Sequence, residues 1–150
     1  MCYCNGYSGL AVADYLVEKA IQDGAPISNM TVLKMIFFAQ GFGFPDLNRR
    51  LIRDEFYAWQ WGPVEEKTYK AFRKYGGNGI TRPSNKAKEE VEDIKAHPEI
   101  VEHLDTIYKF RELNPFELSM ITHETGSPWA RTRPYEKIEA ELIRKFYMED

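Results

Sequence analysis

TVLKMIFFAQ, residues Thr31 to Gln40, is nearly apolar all round, with Lys34 and Gln40 as the exceptions. A helix that is hydrophobic on every side has neighbours on every side. This stretch is therefore predicted to be the central helix of the domain, with Met30, Leu33, Ile36, Phe37 and Gln40 on one broad face. Ser28 or Asn29 can cap its start, just after Pro26. Gly41 and Gly43 are expected to stop it.

Outward from that helix, the rest of the chain also reads as mostly helical. Leu10, Ala13, Leu16, Val17, Ala20 and Ile21 recur at helical spacing, and Asp23-Gly24 closes that pattern. Downstream, Ile100, Leu104, Ile107, Tyr108 and Phe110 form another apolar face. Asn114 caps a further helix with Pro115 at its first position, and Phe116, Leu118 and Ile121 run along it. Gly126 and Pro128 break that helix. Pro134 is expected to open the last one, with Ile138, Leu142, Ile143 and Phe146 on its apolar face.

One segment reads differently. In FYAWQWGPV, Phe56 to Val64, a strand would point Phe56, Ala58 and Gln60 one way and Tyr57, Trp59 and Trp61 the other. An irregular segment laid over helices fits equally. Gly62-Pro63 ends the stretch, and Pro63 is expected near the first turn of the next helix, where Glu65 and Glu66 suit the helix dipole. YGGNG, from Tyr75, ends that helix.

The sum is a mostly α, single-domain bundle of about six helices, with at most one short β-hairpin. Residues 1–9 are expected to be a flexible N-terminal segment and 10–148 the helical domain. Thr81 to Ala96, polar and weakly periodic, is expected to form an exposed arm or a partly formed helix. The 150 residues suit one domain able to bury a core without a metal or a disulfide.

Twenty basic against 23 acidic side chains give a net charge of −3, which argues against a dedicated nucleic-acid binder. Cys2 and Cys4 are the two cysteines, separated by one residue, and read as thiols of a reducing, cytoplasmic compartment. The N-terminus lacks a basic region followed by an apolar core, so no signal peptide is expected, and no apolar run is long enough for a membrane span.

Chemistry-bearing patterns are sparse. Cys2, Cys4, His97, His103 and His123 make neither a C-x-x-C pair nor an H-E-x-x-H helix, so no metal site is read. Gly76 to Gly79 is glycine-rich but lacks the Lys-Ser or Lys-Thr of a phosphate loop. Glu65-Glu66 and Glu89-Glu90 read as solvated helix faces. No catalytic residue and no cofactor is assigned, and the chain reads as a non-enzyme. Three places remain as partner-binding candidates: the aromatic segment (Tyr57, Trp59, Trp61), the basic cluster (Arg49, Arg50, Arg53), and HETGSPW from His123 to Trp129. The last has two readings. Trp129 is a wedge closing the core with His123 bonded to a backbone carbonyl, or the two residues form a polar and aromatic notch that grips a partner.

Three stretches in order carry a family resemblance. LKMIFFAQG (Leu33 to Gly41), FYAWQWGPV with Phe56, Ala58, Trp59, Gly62, Pro63 and Val64, and LSMITHETGSPW with His123, Ser127, Pro128 and Trp129 resemble the motifs of the Panacea-domain, SocA-like or GepA-like phage-associated family. Tyr69, Phe72, Tyr75 and Gly76 continue the second motif. Met35 and Phe37 depart conservatively from a commoner leucine and tyrosine. The resemblance implies that Leu33, Lys34, Phe37, Phe56, Gly62, Pro63, Ser127 and Pro128 are fold-forming. It further implies a cytoplasmic antitoxin that binds and neutralises a cognate toxin protein encoded nearby, often on a prophage. One family member presents its toxin to the ClpXP protease, so a ClpXP-type protease is a further expected partner. The rival readings are a DNA-binding regulator of its own operon and a phage-associated protein-binding domain.

Overall fold

Among the described residues there are seven α-helices, and the predicted central one lies in their midst. The computed structural model describes residues 3 and 5–149, so the reading of Cys2 and Cys4 falls outside the described residues. The helices are α1 (Gly9–Gln22), α2 (Asn29–Leu47), α3 (Glu66–Phe72), α4 (Lys88–Lys95), α5 (Pro98–Tyr108), α6 (Pro115–Thr122) and α7 (Ala140–Met148). Every residue of α2 from Thr31 to Gly41 is buried, and the helix touches α1, α3, α5, α6 and α7. Ser28 caps its start by accepting from the Thr31 N–H.

Gly41 and Gly43 do not stop α2. The helix runs on through Pro45 to Leu47 and ends at Asn48, which takes a left-handed conformation (φ 55°). Packing overrides the local preference. A Cβ on Gly41 would run into the Tyr147 ring of α7, so the glycine is there for close approach of two helices.

The FYAWQWGPV segment is a strand and a turn. β1 (Phe56–Trp59) pairs antiparallel with β2 (Gly62–Val64) on one side and with β3 (Lys137–Ile138) on the other. Phe56 and Ala58 face the core while Tyr57 and Trp59 are half-buried, as alternation requires. Gln60 and Trp61 form the turn. Pro63 sits in the edge strand β2, opposite Ala58, rather than in the first turn of α3; an edge strand tolerates its missing N–H. Glu65 caps α3 instead, accepting from the N–H groups of Lys67 and Thr68 and from the Thr68 hydroxyl. Glu65 is therefore buried, not on a solvated face, and burial raises its carboxyl pKa despite those bonds.

The third strand replaces the expected start of the last helix. After Pro134 the chain turns through Tyr135 (φ 65°), Tyr135 donates to Ala58 O at 2.7 Å and Ala58 donates to Glu136 O at 2.9 Å, so the chain is drawn onto the sheet edge and α7 waits until Ala140. Ile138, expected on a helix face, is buried from β3.

Of the two expectations for Thr81 to Ala96, the structure has the helical one: Lys88–Lys95 is α4 and the rest is non-helical. The segment's weak periodicity hides two inward residues, Val91 and Ile94, on a complete α4 packed against α1 and α5. Polar anchors reinforce it. Ser84 bonds Asp14 through its N–H (2.8 Å) and hydroxyl (2.6 Å), and Asp93 accepts from the Tyr7 hydroxyl at 2.6 Å. The same contacts bring in the N-terminal stretch. Tyr7 is buried and bridges in parallel to Ile52, donating to Leu51 O and accepting from Arg53 N.

Candidate partner-docking face

The turn at Trp61 and the helix α6 meet over the middle of α2. Ser119 donates its hydroxyl to Trp61 O at 3.0 Å, which ties the two together. Gly62 makes the approach feasible. Its φ is +129°, and a Cβ there would stand 3.2 Å from Thr122 Oγ1 and 3.3 Å from Lys34 Cε.

α6 is short and well capped. Asn114 and Glu117 close a capping box at its start, with Pro115 at the first position. At its far end the Ser127 hydroxyl donates to Thr122 O at 2.8 Å and accepts from Ala130 N at 3.2 Å. That staple turns the chain so that Trp129 points back to the sheet. Trp129 Nε1 donates to Trp59 O at 2.7 Å, and Trp59 in turn packs edge-on to Tyr69.

Leu118 and Thr122 are the inward residues of α6. Phe116 is 72% exposed, Met120 59% and Ile121 40%, and Trp61 beside them is 62% exposed. Single exposed apolar side chains are ordinary, but a cluster of large ones marks an interaction surface. Trp61, Phe116 and Met120 rim a hollow of about 280 Å³ that Met30, Lys34, Ser119 and His123 also line.

The floor of that hollow is polar. Lys34 is 1% exposed, and among the described residues no carboxylate lies within ion-pair distance of it. Burial pushes its ammonium pKa down to about 8. His123 caps the end of α6 and lies against Trp129, ring centroids 3.7 Å apart. Its Nε2 is buried and has no hydrogen-bond partner. Burial first, and the Lys34 charge second, lower the His123 pKa, which keeps the imidazole neutral at pH 7.

The structure sorts the expected site residues. Trp61 and His123 come together at the hollow. Trp59 and Trp129 stand next to it and line a second hollow of about 500 Å³ with Tyr135 and Pro134. Tyr57 is half-buried in the central strand. Trp129 is the expected wedge, but His123 is not bonded to a carbonyl through Nε2. The basic cluster stands elsewhere and is engaged. Arg50 donates to the carbonyls of Ile52 and Arg53, and Arg53 donates to Gly6 O and pairs with Glu90 at 2.8 Å. Arg49 lines a different hollow with Tyr7 and Asp93. Phe116, Met120 and Ile121 were not singled out as partner-binding residues. Their signal was present: PFELSMIT places apolar residues at 116, 118, 120 and 121, which one buried face cannot hold.

Residues 32–130 match the family model "Antitoxin SocA-like, Panacea domain". The chain belongs to this family. It is also 30% identical over 131 residues to antitoxin SocA of Caulobacter vibrioides (strain NA1000 / CB15N), a match covering 79% of this chain and 66% of that protein, just short of two thirds of its length. No solved structure matches the chain. The family match covers α2 from Val32 onward, the β1–β2 turn and α6, the elements that build the candidate docking face. Among the described residues no helix is long and apolar enough to cross a membrane.

Proposed function

We propose that this chain is a cytoplasmic antitoxin that binds a toxic protein encoded nearby and neutralises it by occupancy rather than catalysis. The observation that carries the reading is the exposed apolar cluster of Trp61, Phe116, Met120 and Ile121, assembled from elements inside the antitoxin-family match. Aromatic and methionine side chains around a recess are the usual anchors of protein interfaces. Delivery of the bound toxin to a ClpXP-type protease is a variant of the same reading: a stable complex accumulates in one case and the toxin disappears in the other.

The test is growth. Each open reading frame flanking the native locus is expressed in a sensitive host, with and without this chain. One neighbour should arrest growth, this chain should restore it, and the two should co-purify. If no neighbour is toxic, or if a toxic one is not relieved, the reading is overturned.

A further inference from the structure

The docking face has a chemical preference that its apolar rim does not announce. Lys34 belongs to the most buried helix of the protein and is itself 1% exposed, yet it lines a surface hollow. A cation in such a place is ordinarily paired with a carboxylate or carries hydrogen bonds, because an unpaired buried charge is strongly unfavourable. Among the described residues Lys34 is the one lysine or arginine buried in this way; Arg53 and Lys95, which pair with Glu90 and Glu18, are part-exposed. Lys34 has no counter-ion among the described residues, and His123, which lines the same hollow, has a buried Nε2 with no hydrogen-bond partner.

We propose that the hollow receives an aspartate or glutamate side chain of the bound partner, carried on an apolar segment, so that the partner's carboxylate completes an ion pair with Lys34 while its flanking apolar side chains cover Trp61, Phe116 and Met120. The proposal rests on the reading of this face as the toxin-docking surface and specifies what the docked segment contains. Charge decides the occupant. The hollow supplies an ammonium and offers no carboxylate of its own, while its walls are almost wholly apolar. His123 adds a ring nitrogen that donates if its proton sits on Nε2. A side-chain carboxylate fits better than a chain terminus, since terminal carboxylates are characteristically gripped by runs of backbone N–H groups and the free groups here are side chains.

Binding through a desolvated ion pair makes the acid discriminating. The uncharged amide of the same shape leaves Lys34 buried without a counter-ion, a difference of at least about tenfold in affinity. It also explains how an apolar surface avoids non-specific partners: a purely apolar segment would cover Lys34 without pairing it.

The test uses the full chain and three blocked peptides, followed by NMR titration. They are acetyl-Phe-Glu-Leu-amide, its Gln analogue, and acetyl-Phe-Leu with a free terminal carboxylate. The Glu peptide should shift the Trp61 indole and Met120 methyl resonances saturably, at least about tenfold more tightly than the Gln peptide. Lys34→Met, whose melting curve shows whether it folds, should erase that preference. Several results overturn the proposal: equal affinity for Glu and Gln peptides, a preference surviving in Lys34→Met, tighter binding of the free-terminus peptide, or no saturation at concentrations up to roughly ten times a millimolar constant. His123→Gln gives a second route if Lys34→Met does not fold; it should weaken the Glu peptide, and unchanged affinity there also counts against the proposal. Growth rescue without a peptide preference would leave the docking face and remove the acid pocket. A peptide preference without rescue would do the reverse.

Discussion

Two regions of this protein bury polar side chains, and they treat them in opposite ways. Around Tyr7 and Ile52 every major group has a partner: Tyr7 with Asp93, Glu90 with Arg53 and the Ser8 N–H, and Gln40 with both the N–H and the C=O of Ile52. Around Lys34 the cation has no carboxylate among the described residues, and His123 Nε2 has no partner. The first region is also apolar only inside, whereas the second is apolar on its outside as well. Satisfied polar groups hold a fold together. Under the proposed docking, the unsatisfied groups beside the exposed aromatics are completed by the partner.

The largest effect that would sharpen this contrast comes from Gln40. Its side chain acts as a two-bond ladder for Ile52, at 2.9 and 2.8 Å. Gln40→Ala leaves the buried Ile52 N–H unpaired, while the Ile52 carbonyl keeps its bond from Arg50 Nε, and is expected to destabilise by about 1–3 kcal/mol, read as a drop in the urea midpoint. Toxin affinity of the remaining native protein should be unchanged. A loss below about 1 kcal/mol would break the claim that the Ile52 region is structural.

Trp129 stands between the two regions. Trp129→Phe removes its donation to Trp59 O and leaves that carbonyl to solvent, for an expected loss of about 1–1.5 kcal/mol by thermal melting. That size would favour the wedge reading of Trp129 over the partner-gripping one.

Lys34 gives a prediction of opposite sign. Its pKa is lowered from 10.5 to about 8 by burial. Between those values the unfolded chain binds more protons than the folded one, so this residue makes the protein more stable as pH rises through the window. Below pH 8 the buried charge weighs on stability in full. Lys34→Met should therefore be at least as stable as the native chain at pH 7, and that advantage should shrink between pH 8 and about 9.5. A variant that is less stable at pH 7, with a gap independent of pH, would mean that Lys34 has a partner within the fold.

Much of the architecture could be read from residues. The all-round apolar character of TVLKMIFFAQ located the central helix, and Asn114-Pro115 located the start of α6. The failures share a cause. Gly41 and Gly43 stay helical because α7 and α5 pack against them, and Lys137–Ile138 becomes a strand by pairing with β1. Both are non-local contacts that no single window of sequence contains. α4 was hidden because two inward residues sufficed once Asp14, Tyr7 and Arg53 supplied polar anchors from far along the chain. At the site, Trp61 could be picked out by residue type, while Lys34 looked like a helix-motif residue because its burial depends on Gly62 and α6.

The smallest expected effect on stability accompanies the largest expected effect on function. Phe116 and Met120 lie on the outer side of α6, so Phe116→Ser with Met120→Ser should change stability by less than about 1 kcal/mol. The most direct test of the docking face is the affinity of this double variant for the neighbouring toxin, measured beside its melting curve. The account predicts a cooperative melt close to that of the native chain and a loss of toxin binding by about a hundredfold or more. Native affinity in a folded double variant would contradict it and move the interface elsewhere on the molecule.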